Sequence, residues 1–114
     1  MDVTIWHNPR CSKSRQTLEL LRSRGVEPKV VDYLKTPPST GEIRRVLDLM
    51  GRPAHDLVRV GETAYRDEGL SKQTSDEQLV EAMFHNPVLI ERPVVIAGDK
   101  AVLGRPPENV LAII

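Results

Sequence analysis

The spacing of hydrophobic and polar residues along this chain alternates between the two-residue period of strands and the 3.6-residue period of helices. Residues 3–6 (VTIW) are β-branched and aromatic, which predicts a short strand. After Pro9, apolar residues recur at helical spacing from Thr17 to Leu21, and they predict an amphipathic helix that ends at Gly25. Residues 28–33 (PKVVDY) predict a second strand. A strand–helix–strand unit this short implies parallel strands joined by a right-handed crossover.

The middle of the chain carries helical signals and no convincing strand. Ser39 with Glu42 three residues later is a capping-box pattern, which predicts the start of a helix. A second box, Ser75 with Gln78, predicts the start of another helix. Two shorter helical segments are expected between them, at residues 54–59 and 62–68.

The last part of the chain returns to strand periodicity. Residues 93–97 and 100–104 are apolar runs separated by Gly98-Asp99, which predicts a β-hairpin with a two-residue turn. A last helix is expected after Pro106-Pro107. The order β-α-β, helical block, β-β-α is that of an α/β, thioredoxin-like (glutaredoxin-like) fold with a four-stranded mixed sheet. We expect one domain over residues 1–114, with a helical insertion at about residues 39–87.

Composition narrows the class of protein. Sixteen basic and sixteen acidic residues among 114 give a formal charge of zero, so no attraction to nucleic acid or to an anionic membrane is implied. No apolar run approaches the length of a transmembrane helix, and no signal peptide is evident. One cysteine rules out an internal disulfide framework, which suits a reducing compartment. We therefore expect a cytoplasmic domain with no membrane or nucleic-acid partner.

The single cysteine, Cys11, lies where the first strand runs into the first helix. The first amides of a helix have no intrahelical partner, and the helix dipole adds positive charge there. A thiolate at this position gains hydrogen-bond donors, so its pKa is expected to fall below the free-cysteine value of about 8.5. Arg10, Lys13 and Arg15 favour the thiolate too, and His7 would do so if protonated. The same loop amides form a concavity that suits an oxyanion.

A lone cysteine has a second interpretation. In intracellular proteins it is often a small buried hydrophobic residue with no reactivity. The helix start and the three neighbouring cations favour a nucleophilic thiolate over that alternative. No glycine-rich phosphate loop and no cysteine–histidine ligand spacing appears in the sequence. We expect no metal and no tightly bound cofactor.

Four motifs in order give this chain a resemblance to a known family. They are His7-Asn8-Pro9-x-Cys11 with Ser14-Arg15, Tyr33-Leu34-x-x-Pro37-Pro38, Glu91-Arg92-Pro93-Val94-Val95 and Gly104-Arg105-Pro106. Together they resemble the ArsC-like, glutaredoxin-coupled arsenate reductases, and in particular a short single-domain branch of that family. The resemblance covers essentially the whole chain. In this fold Pro93 would be a cis-proline beside the cysteine.

The resemblance implies a role for each residue that matches a family motif. Cys11 is similar to the nucleophile that attacks the oxyanion, and His7 and Ser14 to residues that support its thiolate. Three residues are similar to the family arginines that bind arsenate: Arg59, Arg92 and Arg105. Planar guanidinium groups suit the oxygens of a tetrahedral dianion. Taken singly and without the family, each of these arginines would be read as a solvated surface residue.

The implied activity is that of an arsenate reductase with glutathione as co-substrate and glutaredoxin as partner. External thiols are needed because position 14, three residues after the cysteine, is serine, which excludes an internal Cys-x-x-Cys pair. Two other functions stay open. One is a general glutathione- or glutaredoxin-linked thiol oxidoreductase, which the cationic loop would suit. The other, less favoured, is a non-enzymatic redox regulator similar to Spx proteins, whose usual second cysteine this loop lacks.

Overall fold

A computed structural model describes residues 2–114, which fall into two compact units. One unit takes in the chain up to Thr36 together with Arg92–Ile114, and the other is Pro37–Glu91.

The first unit is built on a four-stranded sheet. Its strands are β1 (Val3–His7), β2 (Lys29–Asp32), β3 (Val94–Ala97) and β4 (Lys100–Leu103). Their order across the sheet is β2-β1-β3-β4, with β1 parallel to β2 and antiparallel to β3, and β3 antiparallel to β4. The prediction of a mixed four-stranded sheet is therefore confirmed, as are the parallel β1–β2 pair and the hairpin.

Helix α1 (Ser12–Ser23) connects β1 to β2 and covers the sheet with its apolar face. Leu21 of α1 is fully buried in one cluster with Ile5 of β1 and Val95 of β3. β1 is buried because both of its neighbours are strands, whereas β2 lies at an edge and exposes Val30. The start of α1 therefore follows β1, a strand that is buried and well packed.

The chain closes with a 3₁₀ helix, Pro107–Ala112, where the sequence predicted an ordinary helix. Its bonds span three residues, as in the amide of Ile113 donating to the carbonyl of Val110 at 3.1 Å. Pro106 is its N-cap and Pro107 its first residue, and their missing amides cost nothing there because the first amides of a helix have no intrahelical partner. Val110 is nevertheless buried against the sheet, as the apolar pattern predicted.

The second unit is helical. It contains α2 (Thr40–Met50), α3 (Thr63–Asp67) and α4 (Asp76–His85), with 3₁₀ turns at Ala54–Asp56 and Pro87–Leu89. Both predicted capping boxes are present: Ser39 accepts from the amide of Glu42, and Ser75 from that of Gln78. α2 and α4 pack against each other through fully buried apolar residues.

The only extended pairing described in the second unit is a bridge between Val58 and Ile90. The short helix predicted at residues 54–59 is a single 3₁₀ turn, because the bridge at Val58 draws the chain into an extended pairing. Within residues 2–114, each helix is too short or too polar to cross a bilayer. The extent of the domain, and its insertion at about residues 39–87, stay predictions.

Candidate active site

Cys11 is the N-cap residue of α1, in an extended conformation with φ −92° and ψ 122°. The loop before it is a tight turn that begins where β1 ends. The amide of Cys11 donates to the carbonyl of Asn8 at 3.0 Å, and the Asn8 side-chain oxygen accepts from the amide of Arg10 at 3.0 Å. The sulfur is half-buried and free of any disulfide. The position predicted for the cysteine, at the first turn of the helix, is therefore confirmed.

Two arginines that flank the hairpin lie close to this sulfur. Arg105 Nη1 lies 3.8 Å from Cys11 Sγ and donates to the carbonyl of Arg92 at 3.2 Å. The guanidinium of Arg92 also interacts with the thiol, through its charge and through a side-chain hydrogen bond. Both arginines precede a proline, and both of those peptide bonds, Arg92–Pro93 and Arg105–Pro106, are cis.

The pKa of the Cys11 thiol is lowered from its ordinary value. Partial burial is the largest single influence and works in the opposite direction, because it disfavours the charged form. The backbone amide of Ser14, the charge of Arg92 and the amide of Lys13 together outweigh it. The helix start thus acts as expected, whereas the cation that contributes is Arg92 of the hairpin and not the loop side chains of Arg10, Lys13 and Arg15.

His7 and Ser14 form a buried pair behind the loop. His7 Nδ1 lies 2.6 Å from Ser14 Oγ, which also accepts the amide of Asn8 at 3.0 Å. Burial lowers the pKa of His7; Asp32 works against this, and the charges of Arg22 and Arg15 add to it. The imidazole is accordingly neutral near neutral pH and contacts Ser14 as a hydrogen-bond partner. It contributes no positive charge to the thiolate under those conditions.

The side chains of the three cations in the cysteine loop, Arg10, Lys13 and Arg15, are exposed. Arg15 Nη1 donates to the carbonyl of Pro9 at 2.9 Å and so braces the turn that holds the cysteine. Sequence reasoning overlooked the part played by Asn8, whose backbone and side chain make three of the hydrogen bonds of this turn. The Asn8-Pro9 dipeptide is a turn signal that could have identified it.

Arg59 belongs to the second unit and is held there by two carboxylates. Its Nη2 lies 2.7 Å from an oxygen of Glu62, and its Nε lies 3.9 Å from an oxygen of Glu91. Its Nη1 also donates to the carbonyl of Val88 at 3.3 Å. These two carboxylates and the backbone carbonyl together hold the guanidinium in one orientation.

Chemically, the first unit presents a nucleophilic sulfur with a depressed pKa, backbone amides directed at it, and two guanidinium groups beside it. Such a set can bind a tetrahedral oxyanion and attack its central atom. The described residues contain no group of three or more histidine, cysteine, aspartate or glutamate side chains that could hold a metal ion.

Comparison with known proteins gives consistent results. The ArsC family model matches residues 6–113. The uncharacterized protein YfgD of Escherichia coli K12 is 50% identical over 114 residues, which are 98% of this chain and 96% of that protein. An arsenate reductase of Neisseria meningitidis serogroup A is 42% identical over 115 residues, covering 99% of this chain and 98% of the relative.

The same family appears among solved structures. The arsenate reductase from Vibrio cholerae superposes with a TM-score of 0.95 at 45% identity, covering 100% of this chain and 98% of that one. This likeness confirms the predicted thioredoxin-like fold. A family model that spans nearly the whole chain, together with relatives and a structure that match it end to end, leads to one conclusion. This chain belongs to the ArsC family.

Proposed function

We propose that this protein is a glutathione- and glutaredoxin-dependent arsenate reductase of the cytoplasm. The observation that carries the proposal is the position of the Arg92 and Arg105 guanidinium groups at the sulfur of Cys11. Relatives named arsenate reductases, matched over 98% of their length, support the choice of oxyanion. Arg59 is the third arginine of the proposed arsenate site, by its resemblance to the family motif.

The first step is nucleophilic attack. The Cys11 thiolate attacks As(V) of bound arsenate, an S–As bond forms, and one arsenate oxygen leaves as water after taking up protons from solvent. Arsenic is not yet reduced in this adduct. Arg92 and Arg105 bind the remaining oxygens and balance their negative charge. The lowered pKa of Cys11 matters here because the thiolate, and not the thiol, is the attacking form.

Reduction follows when a second thiol attacks. The thiolate of glutathione attacks the sulfur of Cys11, a disulfide forms, and the electron pair of the S–As bond stays on arsenic, which leaves as arsenite, As(III). Cys11 is now a mixed disulfide with glutathione. A glutaredoxin thiolate attacks the glutathionyl sulfur, and the Cys11 thiolate departs. The two electrons gained by arsenic are thus supplied by external thiols, as a chain with one cysteine requires.

The proposal is tested by a coupled assay that follows NADPH oxidation with arsenate, glutathione, glutaredoxin and glutathione reductase, while arsenite is measured directly. Saturable arsenite formation that is abolished in Cys11→Ser supports it. A variant at Ser23, an exposed serine at the end of α1, gives a matched control, since Ser23→Ala leaves the thiol in place. The absence of arsenite with the native chain would overturn the proposal.

The same assay separates the general thiol oxidoreductase from the reductase. That alternative predicts turnover of glutathione mixed disulfides by the native chain with no arsenite produced. The exposed cations Arg10 and Lys13 beside the thiol are the feature that favours it, because glutathione carries two carboxylates. Measuring NADPH oxidation with a glutathionylated peptide in place of arsenate distinguishes the two functions.

A further inference from the structure

Three segments of the first unit meet at Gly104. They are the first turns of α1, which follow Cys11; the start of β3, which follows Arg92; and the end of β4, which precedes Arg105. The amide of Gly104 donates to the carbonyl of Pro93 at 2.9 Å. The three segments of the first unit that carry Cys11, Arg92 and Arg105 are therefore all represented at this one contact.

The contact at Gly104 leaves no room for a side chain. A Cβ placed there would lie 2.7 Å from Thr17 Oγ1, 2.8 Å from Thr17 Cγ2 and 2.9 Å from Pro93 Cγ. Distances under about 3 Å do not occur for real Cβ atoms, so one of these neighbours would have to move. Gly104 does not adopt a positive φ. Its requirement is thus for space and not for backbone freedom.

Thr17 is the partner of Gly104 on the helix. It is fully buried, and its hydroxyl lies 2.8 Å from the carbonyl of Lys13 and 3.1 Å from the carbonyl of Gly104. Lys13 is in the first turn of α1, and its amide is one of the groups that favour the Cys11 thiolate. The single proton of this hydroxyl is shared between two carbonyl acceptors, one in the turn that carries the cysteine's donors and one on the residue that precedes Arg105.

We propose that Thr17 is a positioning residue of this site, which ties the first turn of α1 to Gly104 and so sets the distance between Arg105 and Cys11. The inference rests on the proposed function only in its choice of arsenate as the bound anion. The described hydrogen bonds of the Thr17 hydroxyl are with backbone carbonyls. Thr17 acts by holding the backbone beside each of the two residues that make the 3.8 Å contact, Arg105 Nη1 and Cys11 Sγ.

Three variants separate positioning from packing. Thr17→Val keeps the shape of the side chain and removes the hydroxyl, whereas Thr17→Ser keeps the hydroxyl. Leu21→Val is the matched control, because Leu21 is buried one turn further along the same face of α1, in the apolar cluster of the sheet. It weakens the packing of the helix without changing the bond to Gly104.

Two readouts are measured on each folded variant. The first is the apparent pKa of Cys11 from the pH dependence of its alkylation by iodoacetamide, which needs no arsenate. The second is KM for arsenate in the coupled assay. We expect Thr17→Val to raise the thiol pKa by roughly half a unit or more and KM by about 3- to 10-fold, the effect of one weakened polar contact. Thr17→Ser and Leu21→Val should stay near the native values for both.

An unchanged pKa and KM in Thr17→Val would overturn the proposal, and so would an equal shift in Leu21→Val, which would mean that packing alone matters. If Thr17→Val does not fold, Thr17→Ala replaces it, because the smaller side chain leaves space for a water at the Gly104 carbonyl. If the native chain produces no arsenite, the proposed function fails, while the alkylation profiles still decide the role of Thr17.

Discussion

The guanidinium of Arg105 lies 3.8 Å from the sulfur of Cys11, although 94 residues separate the two in sequence. The pairing of the hairpin strands explains why Arg92 also lies near this sulfur. β3 and β4 pair with Val94 opposite Leu103, so extending that register by two residues sets Arg92 opposite Arg105. β1 pairs with β3 through Trp6 and Val94, which brings the cysteine loop to this same end of the sheet. The site is thus a consequence of strand register.

The first prediction concerns the cation that stabilises the thiolate. Arg92→Ala should raise the apparent pKa of Cys11 by about one unit, because it removes both a positive charge and a hydrogen bond from the sulfur. Lys13→Ala should have little effect, since Lys13 acts through its backbone amide, which alanine retains. The pH dependence of iodoacetamide alkylation measures both. Equal shifts in the two variants would contradict the assignment to Arg92.

The second prediction concerns Arg59. If this side chain binds arsenate, Arg59→Ala should raise KM for arsenate about 10-fold or more, as expected when a charged hydrogen-bond partner is lost. Arg66→Ala is the matched control, because Arg66 is an exposed arginine on α3 of the same unit. Steady-state arsenite formation gives both values. An Arg59 variant with the KM of the Arg66 variant would remove Arg59 from the site.

The third prediction follows from the lowered pKa of His7. The unfolded chain, where histidine has its usual pKa of about 6.5, binds the proton more readily than the folded chain. Protonation therefore favours unfolding, and this contribution to stability is lost as the pH falls below about 6.5. His7→Asn keeps a polar atom near Ser14 and cannot be protonated.

Urea unfolding of the native chain and of His7→Asn between about pH 7 and about pH 5 tests this prediction. The free energy of unfolding of the native chain should fall more steeply toward acid pH than that of the variant. The difference between the two curves isolates His7, because every other titrating group is common to both proteins. Parallel curves would show that His7 has the same pKa folded and unfolded.

The fourth prediction concerns the caps of the helical unit. Ser39→Ala and Ser75→Ala should each lower the free energy of unfolding by about 1 kcal/mol, since each removes the acceptor for an amide in the first turn of its helix. Ser23→Ala makes the same chemical change at a helix end that has no such role, and should stay within about 0.5 kcal/mol of the native chain. Unfolding midpoints in urea that match across all three would refute it.

Local features of the fold were accessible from the sequence because their causes are local. The capping boxes at Ser39 and Ser75, the Gly98-Asp99 turn and the helix start at Cys11 depend on residues a few positions apart. The ends of the chain's short helices were less accessible. Ala54–Asp56 and Pro107–Ala112 are 3₁₀ helices. The first is followed by a bridge between Val58 and Ile90, which depends on a residue distant in sequence.

The residues of the site also divide into those that neighbouring sequence identifies and those that depend on distant residues. Cys11 could be identified from its neighbours in sequence, but the cation that lowers its pKa could not, because Arg92 comes from the far end of the chain. Sequence proximity pointed instead to Arg10, Lys13 and Arg15. Arg92 and Arg105 were found through their resemblance to family motifs. Glu62 lies three residues after Arg59, and Glu91 belongs to one of the four motifs, but neither was expected to pair with Arg59 until the folded unit was seen.

The single thiol of this chain has a consequence for how its oxidised forms are observed and repaired. Every disulfide that Cys11 forms joins the protein to another molecule, so each such state has its own mass and is visible in an intact-mass spectrum. Return to the thiol is for the same reason a bimolecular event, whose rate rises with the concentration of the rescuing thiol. The lifetime of the oxidised protein thus depends on the supply of external thiol, as well as on how readily the Cys11 thiolate leaves.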